Sequence, residues 1–188
     1  MNQKPVLDPE IWVEQYGDYL FRYAMLRIRD PALAENLVQE TFLAALHNRD
    51  TFAGHSSERT WLTGILKRKV IDHLRRRSRE RPVSEITPED SSIEDLFDER
   101  GAWKVRPNAW GIDPSEVLEK REFWASLTRC TAELPPRLAQ AFLLREVDGL
   151  SSEEICKVLQ VSTTNLWVML HRARLRLRQC LENHWFAP

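Results

Sequence analysis

Glycine is scarce in this chain, with 6 in 188 residues, and cysteine is scarcer, with 3. No glycine-rich run has the spacing of a phosphate-cradling loop. Cys130, Cys156 and Cys180 form an odd set without CxxC spacing. They read as reduced thiols of a cytoplasmic protein, with Cys156 on the apolar side of its helix as core. The 5 histidines do not group in zinc spacing, so no metal and no cofactor are expected. Paired carboxylates in a pocket and Ser–His or Cys–His arrangements are lacking, which argues against an enzyme. No signal-peptide pattern opens the sequence and no apolar run reaches the length of a membrane span, so no membrane insertion is expected. Sustained period-two alternation is missing, so no sheet is expected. Net charge is lacking too, at a formal −1.

The charge is nevertheless unevenly placed. Residues 61–81 carry eight Lys or Arg (Lys67, Arg68, Lys69, Arg75, Arg76, Arg77, Arg79, Arg81) against Asp72 and Glu80. Residues 82–116 carry nine acids against three bases. Such a block of arginines on a helix favours phosphate contact over a merely solvated face.

Helical signals run through the rest. Asp8-Pro9 and Asp30-Pro31 each pair a capping residue with a proline at the first helical position. Trp12, Tyr16, Tyr19, Leu20 and Tyr23 follow the first signal at helical spacing. Leu33, Leu37, Val38, Thr41, Phe42 and Ala45 follow the second, with Glu35, Asn36, Gln39 and Glu40 on the opposite, polar face. A loop over 47–60 precedes a helix from about Ser57 to Glu80, with Trp61, Leu62, Ile65, Leu66, Val70 and Leu74 inward. Residues 82–114 are acidic and hold four prolines, and read as a linker. Trp103 and Trp110 flank its KVRPNA segment and suggest that part of it docks. Asp113-Pro114 opens a further helix with Val117, Trp124, Leu127, Thr131 and Leu134 on one side. Another follows over about 137–147, and Trp185 and Phe186 are expected to pack back on this second domain. The fold class is therefore all-α: a domain over 1–81, a linker over 82–114 and a domain over 115–188.

The stretch Gly149–Arg178 predicts two short helices around a tight turn. Ser151 and Glu154 form a capping box, Gln160-Val161 the turn, and Ser162 the second cap. Leu166, Leu170, Ala173 and Leu177 share one side of the second helix; Thr164, Val168, His171, Arg172 and Leu175 share the other, with Asn165 and Trp167 on the flanks. A helix built this way suits the major groove, although an ordinary helical hairpin with a solvated basic face has the same pattern.

Taken in order, these patterns resemble the extracytoplasmic-function (ECF) group of bacterial RNA polymerase sigma factors, over nearly the whole chain. Asn36-Leu37-Val38-Gln39-Glu40-Thr41-Phe42 is similar to the core-binding motif of the family's first domain. Phe52-x-Gly54, Trp61-Leu62 and Ile71-Asp72-His73-Leu74-Arg75-Arg76 are similar to its promoter-melting segment. Leu134-Pro135 and Glu153-Glu154-Ile155 through His171-Arg172-Ala173-Arg174 are similar to its −35-reading domain.

The resemblance implies a specificity subunit whose Asn36, Gln39 and Glu40 dock on the clamp helices of core RNA polymerase. It implies that Phe52, His55, Ser56, Trp61, Arg68, Lys69, Arg75 and Arg76 hold single-stranded −10 DNA with a base flipped out. Thr164, Asn165, Trp167, Val168, His171 and Arg172 would meet duplex −35 DNA, while Arg174, Arg176 and Arg178 trail towards phosphate. The acidic linker would follow the polymerase's RNA path, and an anti-sigma factor is an expected partner. The chain departs from the family at Asn36 (usually Asp), Arg68 (often Asn), Gln160 (usually Gly), and Trp167 and Val168 (often Arg or Lys, then Ser), so the family's usual promoter sequences do not transfer. The competing reading is an autonomous helix-turn-helix regulator that binds duplex operator DNA without polymerase.

Overall fold

The computed structural model describes residues 7–80 and 121–186. Two compact units divide the chain at Glu80 and Arg81. The expected linker over 82–114, its Trp103 and Trp110, and the Asp113-Pro114 start signal lie outside the described residues. The secondary structure of the described residues is helical, with no strand among them.

In the first unit, both Asp-Pro signals act as the sequence predicts. The Asp8 carboxylate accepts from the Glu10 amide at 3.2 Å and opens a single 3-10 turn that leads into α1, Trp12–Ile28. Asp30 accepts from the Leu33 amide at 3.1 Å at the head of α2, Pro31–His47. Between them the chain reverses at Arg29, left-handed at φ 57°. The third helix, α3, spans Glu58–Glu80. The three helices pack pairwise. Trp12, Leu20, Ala24 and Ile28 of α1, Ala34, Leu37, Val38, Thr41 and Ala45 of α2, and Leu62, Leu66, Val70 and Leu74 of α3 are buried between them. Tyr19, at helical spacing from Trp12, is exposed, with the Arg59 guanidinium 5.3 Å from its ring centre.

The described residues of the second unit hold four helices: α4 (Arg121–Glu133), α5 (Pro136–Phe142), α6 (Ser152–Leu159) and α7 (Thr163–Leu181). Wider π-helical turns follow α5, at Leu143–Val147, and α7, at Glu182–Phe186. Helices α4, α5 and α6 all pack against α7. That wrapping corrects two expectations. Leu175 lies on the side of α7 opposite Leu166, yet it is buried, because α7 is covered on more than one side. Trp124 is 48% exposed, whereas its neighbour Phe123 turns inward and meets Trp185 edge-on at 5.8 Å between ring centres. Trp185 thus packs back as expected; the side chain of Phe186 is outside those described.

The cysteine expectation is also corrected. Cys130, near the end of α4, and Cys180, near the end of α7, form a disulfide with Cα atoms 5.8 Å apart. Fifty residues separate them in sequence, so only the convergence of the two helix ends reveals the pair. Cys156 is free, and is half-buried on α6 rather than enclosed in the core.

Candidate nucleic-acid and polymerase interfaces

Asn36, Gln39 and Glu40 project from α2 into solvent, away from the buried stripe. Gln39 Nε2 donates to Glu35 Oε1 at 3.3 Å, so it is held along the helix. Glu40 reaches α3, where its carboxylate meets Lys69 Nζ at 3.0 Å. Two residues expected at different interfaces are therefore joined across neighbouring helices. The sequence reading missed Leu43 and Leu46 on the same side of α2. Leu43 is 56% exposed and Leu46 is exposed as well. At 100° per residue, Asn36, Glu40 and Leu43 fall within one narrow face. An exposed apolar pair thus lies beside a carboxylate and two amides on this side of α2.

The loop after α2 is braced from inside. Phe52 is only 6% exposed. Its ring lies 5.1 Å from Trp61, which meets Trp12 edge-on at 6.0 Å. Trp12 Nε1 donates to Glu58 Oε2 at 3.0 Å. This corrects the expectation for Phe52: a ring so covered has no free face on which a base can stack. Burial of an aromatic side chain supplies a larger stabilisation than leaving it in solvent, so the core claims it. Beyond Phe52 the loop is open. Gly54 turns it at φ 75°, and His55 and Ser56 are exposed. Ser57 Oγ then accepts from the Thr60 amide at 3.2 Å and starts α3.

Along α3, Trp61, Arg68 and Arg75 recur every seven residues and so share a face. Trp61 is half-buried, leaving part of its ring at the surface, and Arg68 is exposed. Gly64 lies between these two with open space where a side chain would be, which allows another molecule a close approach to the backbone. Arg75 is 3.7 Å from Asp72, and Arg76, Arg77 and Arg79 continue the basic surface to the helix end. His73 lies on the packed side with its Nε2 buried and unpartnered. Burial holds its pKa below the ordinary histidine value, and Arg77 and Arg76 lower it further against the opposing pull of Glu80 and Asp30.

In the second unit, the capping box forms as its residues predict. Ser151 Oγ accepts from the Glu154 amide at 3.2 Å, while the Ser151 amide donates to the Glu154 carboxylate at 2.8 Å. Gln160 ends α6 in the left-handed region at φ 55°, the conformation glycine adopts at no steric cost. Its side-chain amide donates to the Lys157 carbonyl at 2.7 Å. Ser162 Oγ accepts from the Asn165 amide at 3.2 Å and heads α7. Leu166, Leu170, Ala173 and Leu177 face inward as expected. Thr164 and His171 are exposed, Trp167 is 53% exposed, and Val168, Arg172 and Arg176 are half-buried. Asn165 points its Oδ1 into a buried position without a partner. Two of the trailing arginines prove to be tied within the protein: Arg174 to Glu146 at 2.6 Å, and Arg178 to Glu182 at 3.0 Å. The outward surface of α7 is thus concentrated in its first half, where polar, aromatic and apolar side chains alternate.

The two helical units correspond to two family models. Sigma-70 region 2 matches residues 12–80, and Sigma-70, region 4 matches residues 124–177. A probable RNA polymerase sigma factor of Haemophilus influenzae is 37% identical over 92% of this chain and 89% of its own. The RNA polymerase sigma-H factor of Pseudomonas aeruginosa is 30% identical over 92% and 86%, and the ECF sigma factor SigX of Bacillus subtilis 27% over 92% and 83%. Among solved structures, the sigma factor RpoE of Bartonella quintana, crystallised with the anti-sigma factor NepR, is 21% identical over 94% of this chain and 98% of that one, with a TM-score of 0.44. The chain belongs to the ECF group of RNA polymerase sigma factors.

Proposed function

We propose that this chain is a cytoplasmic specificity subunit that binds core RNA polymerase and directs it to promoters, without chemistry of its own. The observation that carries this reading is the order of two family matches in one chain, each with an exposed helical surface: the basic face of α3 in the region 2 unit, then the first half of α7 in the region 4 unit. In this reading Asn36, Gln39 and Glu40, with Leu43 and Leu46 beside them, dock on the polymerase. His55, Ser56, the exposed part of Trp61, Arg68, Arg75 and Arg76 hold the unpaired −10 strand, while Phe52 supports their loop from within. Lys69 shares its charge between Glu40 and that strand. Thr164, Asn165, Trp167, Val168, His171 and Arg172 meet −35 duplex, and Arg176 the neighbouring phosphates. The domains take the bounds 1–81 and 115–188, joined by the acidic linker over 82–114. An anti-sigma factor is a natural partner of such a subunit.

The test is run-off transcription from a pool of genomic promoter fragments, with and without core polymerase. Specific transcripts that require both proteins support the reading. Tight, sequence-specific binding of duplex DNA by the chain alone, with no effect on transcript choice, would instead identify an autonomous regulator.

A further inference from the structure

Three side chains able to bind a metal converge where α4 and α7 end. Donor atoms of Glu133, Cys180 and His184 lie within 4.8 Å of one another. Cys130 adjoins the group through its bond to Cys180. The spacings explain the convergence. Cys130 and Glu133 are three residues apart on α4, and Cys180 and His184 four apart across the end of α7, so the members of each pair lie about one turn apart, with Cys130 buried and Glu133 exposed. Two such pairs, one from each of two packed segments, are how Cys₂His₂-type sites are assembled. Glu133 Oε2 also lies 3.4 Å from Cys180 Sγ. A disulfide sulfur carries no proton, so two electron-rich atoms face each other there, an arrangement that a cation resolves. Exposed carboxylates often gather with no ion between them; the two cysteines set this cluster apart.

We infer that, in the reduced chain, Cys130 and Cys180 as thiolates, His184 through a ring nitrogen and Glu133 through one oxygen bind a single zinc-class divalent ion. Two soft thiolates with an imidazole and a carboxylate favour zinc over magnesium or calcium. Tetrahedral zinc at its usual bond lengths separates its donors by roughly 3.4–3.8 Å. Opening the sulfur–sulfur bond and turning the exposed Glu133 and His184 side chains supplies the adjustment. A dithiol reduces the pair, giving two electrons and two protons and closing to its own disulfide; metal binding then releases the two thiol protons to solvent. Four protein donors leave no open position, so the site is structural. In a reducing compartment it fastens α4 to the end of α7 as the disulfide does under oxidising conditions, and the two states exclude each other.

The full chain, reduced with a phosphine in chelator-stripped buffer, is titrated with Co²⁺ and then Zn²⁺. The expected result is uptake of one Co²⁺ with thiolate charge-transfer absorption and tetrahedral d–d bands, displaced by one Zn²⁺. Cys156→Ser leaves the spectrum unchanged, Cys130→Ser and Cys180→Ser abolish the charge-transfer bands, and His184→Ala weakens affinity on the order of 10–100-fold, at least the effect of losing an outer-shell partner. The wild-type spectrum decides the matter even where a variant folds poorly. A purely octahedral Co²⁺ spectrum, or unchanged affinity in His184→Ala, overturns the proposal.

Discussion

The two units hold in place, by different means, the helices that the proposed function assigns to DNA. In the first, α3 is long and its start is fixed by aromatic packing: Phe52 on Trp61, Trp61 on Trp12, and Trp12 hydrogen-bonded to Glu58. In the second, α7 is wrapped by short helices and its far end is fastened by Cys130–Cys180 and by Phe123 against Trp185. The first arrangement draws the loop's aromatic residue into the core, so damage there reaches the whole unit. The second leaves the first half of α7 free to present side chains while its second half is anchored. The charges differ in the same sense: Arg68 on α3 is exposed, whereas Arg174 and Arg178 on α7 are engaged by acids of their own unit.

The largest expected effect tests the aromatic side of this contrast. Phe52→Ala should destabilise the first unit by about 3–5 kcal/mol and leave the second unchanged, as read by residue-resolved amide exchange. Equal protection in wild type and variant would return Phe52 to the surface. The covalent side comes next. Reducing the disulfide in the presence of a chelator should cost the second unit about 2–4 kcal/mol and spare the first; a uniform change in both units would break the contrast. On α7, Arg172→Ala should weaken binding of the holoenzyme to promoter DNA by about 1–3 kcal/mol and relax preference at one base pair. Arg174→Ala, by contrast, should act on stability through its lost partner Glu146, and only weakly, as exposed pairs do.

Smaller effects sharpen the picture at the turns. Gln160→Gly should stabilise the second unit by about 0.5–1 kcal/mol, relief of the left-handed strain being partly offset by loss of the hydrogen bond to Lys157. Denaturant unfolding measures it, and a destabilised variant would show that the side-chain bond dominates. In the first unit His73 sets a pH dependence. Its folded pKa is lowered by burial, so its contribution is complete above the unfolded value of about 6.5 and is lost as pH falls through the folded pKa. Partial exposure keeps the effect modest. His73→Gln should flatten stability against pH in the acid range; an unchanged profile would assign that dependence to other groups.

Much of the fold was legible because its signals are local. Asp8-Pro9, Asp30-Pro31, Ser151 with Glu154, and Ser162 cap the helices where the sequence predicts. What escaped was non-local. A lone Phe52 in a polar loop has no periodicity to say whether it faces in or out; only the Trp61 ring beneath it decides. Leu175 was misplaced because a helical wheel assumes burial on one side, and α7 is buried on more. Leu43 and Leu46 did carry a signal, as apolar residues lying off the buried stripe of α2. The spacing of Cys180 and His184 was visible too, but it gained meaning only when α4 brought Cys130 and Glu133 beside it.

The central claim is that two surfaces of one chain serve polymerase at two separate promoter elements. Selection of holoenzyme on a library randomised at both the −10 and the −35 positions tests it most directly. Two conserved sequence blocks are expected, with Arg172→Ala altering only the upstream one and Arg68→Ala lowering yield on duplex templates but much less on pre-melted ones, where no base pairing competes. A single block, or the same pattern selected by the chain without core enzyme, would contradict it.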